Sequence, residues 1–124
     1  MANQRALIVE DNPLICELLA ELLADDFEVL TAPNGERGIA LALERRPDVI
    51  LMDLMMPVMD GWEAIRRLRA TWATCRIPII SLSALGDEGE VTRAKEAGAD
   101  AHLRKPIDEA ALGRVLRRLV LPVR

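Results

Sequence analysis

Three carboxylates, one hydroxyl and one ammonium stand directly after short apolar runs of this chain. Glu10 and Asp11 follow residues 6–9, Asp53 follows 49–52, Ser83 follows 77–82 and Lys105 follows 101–104. Three carboxylates gathered in one partly desolvated cleft repel one another by several kcal/mol, so the set calls for a cation or a protonated member. Oxygen-only donors suit Mg²⁺, which keeps several waters and takes few carboxylates. The hydroxyl and the ammonium add a hydrogen-bond donor and a counter-charge of the kind a phosphoryl group needs. Phosphoryl transfer is mostly positioning and charge neutralisation, and Asp53 is the candidate nucleophile. With neither a P-loop nor a GxGxxG run present, a bound nucleotide is not expected. Any one of these acids reads as a solvated strand end; the coincidence of five positions carries the chemical reading.

These residues share a rim only if the apolar runs lie side by side and point the same way. Five short runs alternate with five helical patterns. Residues 6–9, 27–32, 49–52, 77–82 and 101–104 read as strands, the third as an unbroken apolar run of the kind buried on both faces. Asn12-Pro13 starts the first helix, with Asn as cap and Pro at the first helical position. Asn34 caps a second helix that Pro47 closes, Asp60-Gly61 opens a third over 62–70, residues 87–97 form a fourth ended by Gly98, and Asp108 caps the last. Leu112, Val115, Leu116 and Leu119 repeat there at core spacing. Alternating strands and helices joined by short loops imply right-handed crossovers and an α/β fold with a parallel sheet between helices. Ligands of such sheets bind at the carboxyl ends of the strands, where strand order reverses.

Composition narrows the function. At 124 residues the chain has room for one domain, with a core that needs neither disulfides nor metals. Its 16 basic and 20 acidic residues give a net charge of −4, and one Phe, two Trp and no Tyr leave little to stack bases on, which argues against a nucleic-acid partner. No apolar run approaches a membrane span, so a cytoplasmic protein is expected. Cys16 and Cys75 are expected to be buried, inert thiols. Arginines 66, 67, 69, 114, 117 and 118 are expected to decorate solvated helix faces.

Four stretches, taken together, resemble a response-regulator receiver domain of two-component signalling, in its single-domain form over residues 1–124. They are Val9-Glu10-Asp11-Asn12; the run from Leu51-Met52-Asp53 through Met56-Pro57 to Asp60-Gly61; Pro78-Ile79-Ile80-Ser81-Leu82-Ser83-Ala84; and Gly98-Ala99-Asp100-Ala101-His102-Leu103-Arg104-Lys105-Pro106. The resemblance implies a flavodoxin-like (βα)₅ fold with strand order 2-1-3-4-5. It makes Asp53 the phosphoacceptor, and Glu10 and Asp11 the acids beside a Mg²⁺ that also takes Asp53 and the backbone carbonyl of Met55. Lys105 would pair with phosphoryl oxygens, Ser83 would move toward them after transfer, and a cis peptide bond would join Lys105 to Pro106. Such a protein catalyses only its own phosphorylation and dephosphorylation. The phosphoryl donor would be a histidine kinase or a histidine phosphotransfer protein.

The resemblance departs at His102, where the family usually has Tyr or Phe as the aromatic partner of the moving hydroxyl. The resemblance still implies His102 as the switch partner of Ser83, with weaker or pH-sensitive coupling, beside the plainer reading of a lone histidine as a partly exposed bystander. Met55 and Leu85, two residues beyond Asp53 and Ser83, are expected on the approach of a hydrolytic water and offer it no base. The first helix has more leucine than one core face requires. Packing uses Ile15, Leu19, Leu22 and Leu23, and Leu14 and Leu18, with Ile15 beside them, are expected to form the partner-docking surface. Two other readings stay open: an interaction module that keeps the fold without phosphorylation, and a Mg²⁺-dependent aspartyl phosphohydrolase. The hydrolase would need a second acid two residues after Asp53, where Met55 stands.

Overall fold

The apolar runs assemble into one parallel sheet in the computed structural model of the protein, which describes residues 4–84 and 87–120. Strands β1 (Gln4–Val9), β2 (Phe27–Ala32), β3 (Val49–Asp53), β4 (Ile79–Ser83) and β5 (Ala101–Arg104) lie in the order β2-β1-β3-β4-β5. This is the flavodoxin-like arrangement, and its order reverses between β1 and β3. Helices α1 (Pro13–Leu23), α2 (Gly35–Arg45), α3 (Gly61–Ala70), α4 (Glu88–Ala97) and α5 (Glu109–Leu119) make the crossovers.

Period-two alternation along the strands divides the core into two layers. Leu7, Val9, Ile50, Met52 and Ile79 face one way and pack with Ala42, Trp62, Ile65, Leu68 and Ala94 of α2, α3 and α4. Ala6, Ile8, Val49, Leu51, Ile80, Leu82 and Leu103 face the other way, onto Leu19 and Leu23 of α1 and Leu112 and Leu116 of α5. Ser81 and Ser83 share the pleat of Ile79, and His102 alternates with Leu103. All three therefore lie on the α4 side of the sheet.

Each helix starts where a short polar side chain takes over an orphan backbone N–H. Asn12 accepts from Leu14 and Ile15, Asn34 from Arg37, Asp60 from Glu63, Asp87 from Glu90 and Asp108 from Ala111. Helix α2 ends before Pro47, with Arg46 in the left-handed region at φ 47° and its N–H on the Ala42 carbonyl. The fourth strand begins at Ile79, two residues later than the sequence pattern places it. Pro78 has no N–H for the ladder, and Ile77 still donates to Thr74 in the preceding turn.

Two expectations about surface residues need correction. Arg69 is not on a solvated face: its guanidinium donates to the carbonyls of Gly98 (2.9 Å), Cys75 (3.1 Å) and Ile77 (2.7 Å) and to Asp100 Oδ2 (2.8 Å). Asp100 Oδ2 also accepts from the Ile79 N–H at 2.9 Å, so one arginine ties the end of α3 to the starts of β4 and β5. Arg66 and Arg67 do lie on a solvated face, both paired with Glu63. Cys16 and Cys75 are free but half-buried rather than buried: Cys16 packs at the margin of the α1/α5 layer, and Cys75 lies in the turn between α3 and β4. Among the described residues no helix is long and apolar enough to cross a membrane.

Candidate functional site

Asp53 is the last residue of β3 and Glu10 the first after β1, so the strand-order reversal itself sets the two acids side by side. Both are buried, with 2% and 3% of their surface exposed, whereas Asp11 is open to solvent. Carboxylate oxygens of Glu10, Asp11 and Asp53 all lie within 4.8 Å of one another. Lys105, just past the end of β5, reaches over the rim and places Nζ 2.7 Å from Glu10 Oε1 and 3.2 Å from Asp53 Oδ1. The Asn12 N–H donates to Glu10 Oε2 at 3.1 Å, and the Met55 N–H donates to Asp53 Oδ1 at 3.4 Å. The Lys105–Pro106 peptide bond is cis.

One ammonium against three acids leaves the cleft with surplus negative charge. Burial first, and the neighbouring Glu10 charge second, push the Asp53 carboxyl up to about 7, against the opposing pull of Lys105. At Lys105, burial pulls the ammonium down, but Glu10 and Asp53 together outweigh it and its pKa ends raised. A cleft of three clustered oxygen donors, one of them pushed toward its protonated form by burial and then by its acidic neighbour, fits a hard divalent cation.

The hydroxyl of Ser83, at the end of β4, lies 3.0 Å from Nε2 of His102. Nδ1 of the same ring lies 2.6 Å from Ser81 Oγ. His102 is therefore not a bystander. Burial, and then the Arg104 charge, hold its pKa below the usual imidazole range. Nothing in the isolated sequence distinguishes Ser81 from any other small strand residue; the register that sets it opposite His102 does.

Along α1, Leu14 and Leu18 are 75% and 48% exposed, whereas Leu19 and Leu23 are buried. Ile15 and Leu18 line an apolar groove of about 300 Å³ with Ala84, Lys105, Pro106 and Ile107. The groove thus runs from α1 to the lysine of the cleft. Met55 is exposed at the cleft mouth, and Leu85 lies outside the described residues.

Gly61 is a site residue that motif reading registers only as a helix start. A Cβ there would run into the carbonyl oxygen of Asp53 and lie 2.7 Å from the Leu54 Cα. Its N–H meanwhile donates to the Leu54 carbonyl at 2.9 Å. The start of α3 is thereby pressed against the backbone that presents Asp53.

The chain is similar to known proteins in sequence and in fold. Protein PilH of Pseudomonas aeruginosa is 40% identical over 109 residues, which cover 87% of this chain and 90% of PilH. Chemotaxis protein CheY4 of Vibrio cholerae superposes with a TM-score of 0.89 at 32% identity, covering 96% of this chain and 100% of CheY4. The receiver domain of sensor histidine kinase PA1611 from Pseudomonas aeruginosa PAO1 has a magnesium ion coordinated in its active-site cleft. It superposes with a TM-score of 0.88 at 36% identity, covering 95% of this chain and 98% of that domain. The chain spans 47% and 26% of the length of two further curated relatives, each 40% identical to it. Residues 6–117 match the sequence profile of the response regulator receiver domain, and with the strand order and the acidic cleft at its reversal, the chain belongs to that family.

Proposed function

We propose that the protein, as one receiver domain over residues 1–124, accepts a phosphoryl group from a phosphohistidine onto Asp53 and then passes it on or signals through a changed surface. The observation that carries this reading is the convergence on Asp53: a buried carboxylate with Lys105 Nζ at 3.2 Å and two further acids within 4.8 Å. The carboxylate oxygen attacks phosphorus as the phosphorus–nitrogen bond to the donor imidazole breaks, and the imidazole leaves with the bonding pair. Lys105, already on Asp53, neutralises charge on the transferred oxygens, and Ser83 supplies a hydrogen bond to one of them. Glu10, Asp11, Asp53 and the Met55 carbonyl would hold Mg²⁺, which when bound supplies positive charge to the phosphoryl oxygens and favours ionised Asp53.

A histidine kinase or histidine phosphotransfer protein in the cytoplasm is the partner this chemistry requires. The exposed Leu14 and Leu18, with Ile15 in the groove beside Lys105, give it an apolar surface next to the reacting atom. The protein is a signalling phosphoacceptor rather than a turnover enzyme. The test is transfer from a panel of phosphorylated histidine kinases and phosphotransfer proteins. At least one donor is expected to load the chain in Mg²⁺, with loading lost on chelation and in Asp53→Ala; loading indifferent to both would refute the reading.

A further inference from the structure

Strands β4 and β5 pair in parallel with Ser81 opposite His102 and Ser83 opposite Arg104, and the pleat turns both hydroxyls toward the imidazole. Ser81 and Ser83 are fully buried. Ser81 Oγ donates to the Ala101 carbonyl at 3.3 Å and lies 2.6 Å from His102 Nδ1. A hydroxyl has one proton to give. Given to Nδ1, that proton would leave the Ala101 contact unmade; given to Ala101, it lets Ser81 make both contacts, as donor to the carbonyl and acceptor from the ring, so this arrangement puts the ring hydrogen on Nδ1. A neutral imidazole has one N–H, so Nε2 is a bare acceptor and the Ser83 hydroxyl, 3.0 Å away, must donate to it.

The neutral ring is the form the surroundings favour. Burial and then Arg104 hold the imidazole below its ordinary pKa. A cavity of about 180 Å³ beside the ring is lined by Lys95 of α4 and Asp100, which leads into β5, along with Ser81, Val91 and Ala99.

We propose that Ser81 is a positioning residue: it fixes the His102 tautomer and thereby commits the only Ser83 proton to the ring, away from Asp53, in the unphosphorylated protein. The consequence for transfer rests on the receiver reading above. A phosphoryl group on Asp53 needs that same proton, so Ser83 must release Nε2 before it can donate, and the Ser83–His102 bond opposes loading. Without the Ser81 acceptor the ring is free to carry its hydrogen on Nε2 and donate to Ser83, whose own proton then turns to the cleft.

His102 is the only histidine of the chain, so its ring nitrogens are read by ¹⁵N NMR with no ambiguity of assignment. The unphosphorylated wild type at pH 8 is expected to show the Nδ1–H tautomer, Ser81→Ala to shift toward Nε2–H, and Ser81→Thr to restore the wild-type signals. An Nε2–H ring in the wild type, which needs no variant to fold, would overturn the proposal, as would a Ser81→Ala ring unchanged from wild type. Loading by acetyl phosphate should be about three- to tenfold faster in Ser81→Ala, the scale of one net hydrogen bond, and normal in Ser81→Thr. A changed tautomer with unchanged loading would refute the proton's commitment. A wild type that shows Nδ1–H yet never loads at Asp53 would contradict the receiver reading while supporting the assignment of the tautomer.

Discussion

Asp53 must be ionised to attack, yet burial and Glu10 hold its carboxyl at about 7 in the metal-free protein. The native state therefore keeps a proton on Asp53, between about pH 4 and pH 7, that the unfolded chain has already lost. Because the native state binds more protons across that window, stability falls as pH rises through it, and the full penalty is present above pH 7. In chelator, Asp53→Asn is expected to melt with the wild type below pH 4 and about 10–15 °C above it at pH 8. Thermal melts across that range check this, and a difference independent of pH would contradict it. Glu10, Asp11, Asp53, Ser83 and Lys105 were all legible in the sequence because polar residues placed directly after apolar runs have one place to go in a parallel sheet. His102 was not. Its ring is held by two hydroxyls from the neighbouring strand, and only the β4–β5 register brings Ser81 and Ser83 to its two nitrogens.

Elements hold these residues in place through contacts that composition and periodicity do not announce. The start of α3 touches the Asp53 backbone at Gly61, where a methyl group has no space. Gly61→Ala should cost about 2–3 kcal/mol in urea denaturation and also slow loading of Asp53, since relief requires moving the strand end; a stable, fully active variant would contradict the contact. Arg69 does for the opposite end of the sheet what the caps do for the helices. Its four donated bonds close the α3–β4 turn against the start of β5, and Arg69→Ala is expected to destabilise by about 2–3 kcal/mol while sparing phosphorylation chemistry in the folded fraction. Equal urea midpoints would remove that role. An arginine in a helical pattern reads as solvated because its partners, carbonyls at 75, 77 and 98, leave no trace in side-chain type. The surplus leucines of α1 were legible as surplus, and the structure leaves Leu14 and Leu18 uncovered. Leu14→Ala and Leu18→Ala should slow transfer from a phosphohistidine partner about tenfold while leaving acetyl phosphate loading unchanged, since partner contacts act on the encounter. Equal loss with both donors would assign the helix to folding alone.

The molecule as a whole is a parallel sheet whose order reverses between β1 and β3, and that reversal is why acids distant in sequence meet in one cleft. Strand count, helix count and class followed from alternation of apolar runs with capped helices. The strand order came through resemblance, because periodicity alone does not say which strands are neighbours. Element ends moved by one or two residues where local chemistry overrode pattern, as at Pro78, while the two-layer core followed the period-two rule throughout. The central claim concerns one bond. Intact-mass measurement after treatment with acetyl phosphate and Mg²⁺ is expected to show one hydroxylamine-labile phosphoryl group on the wild type and none on Asp53→Ala; the same gain in that variant would contradict the account.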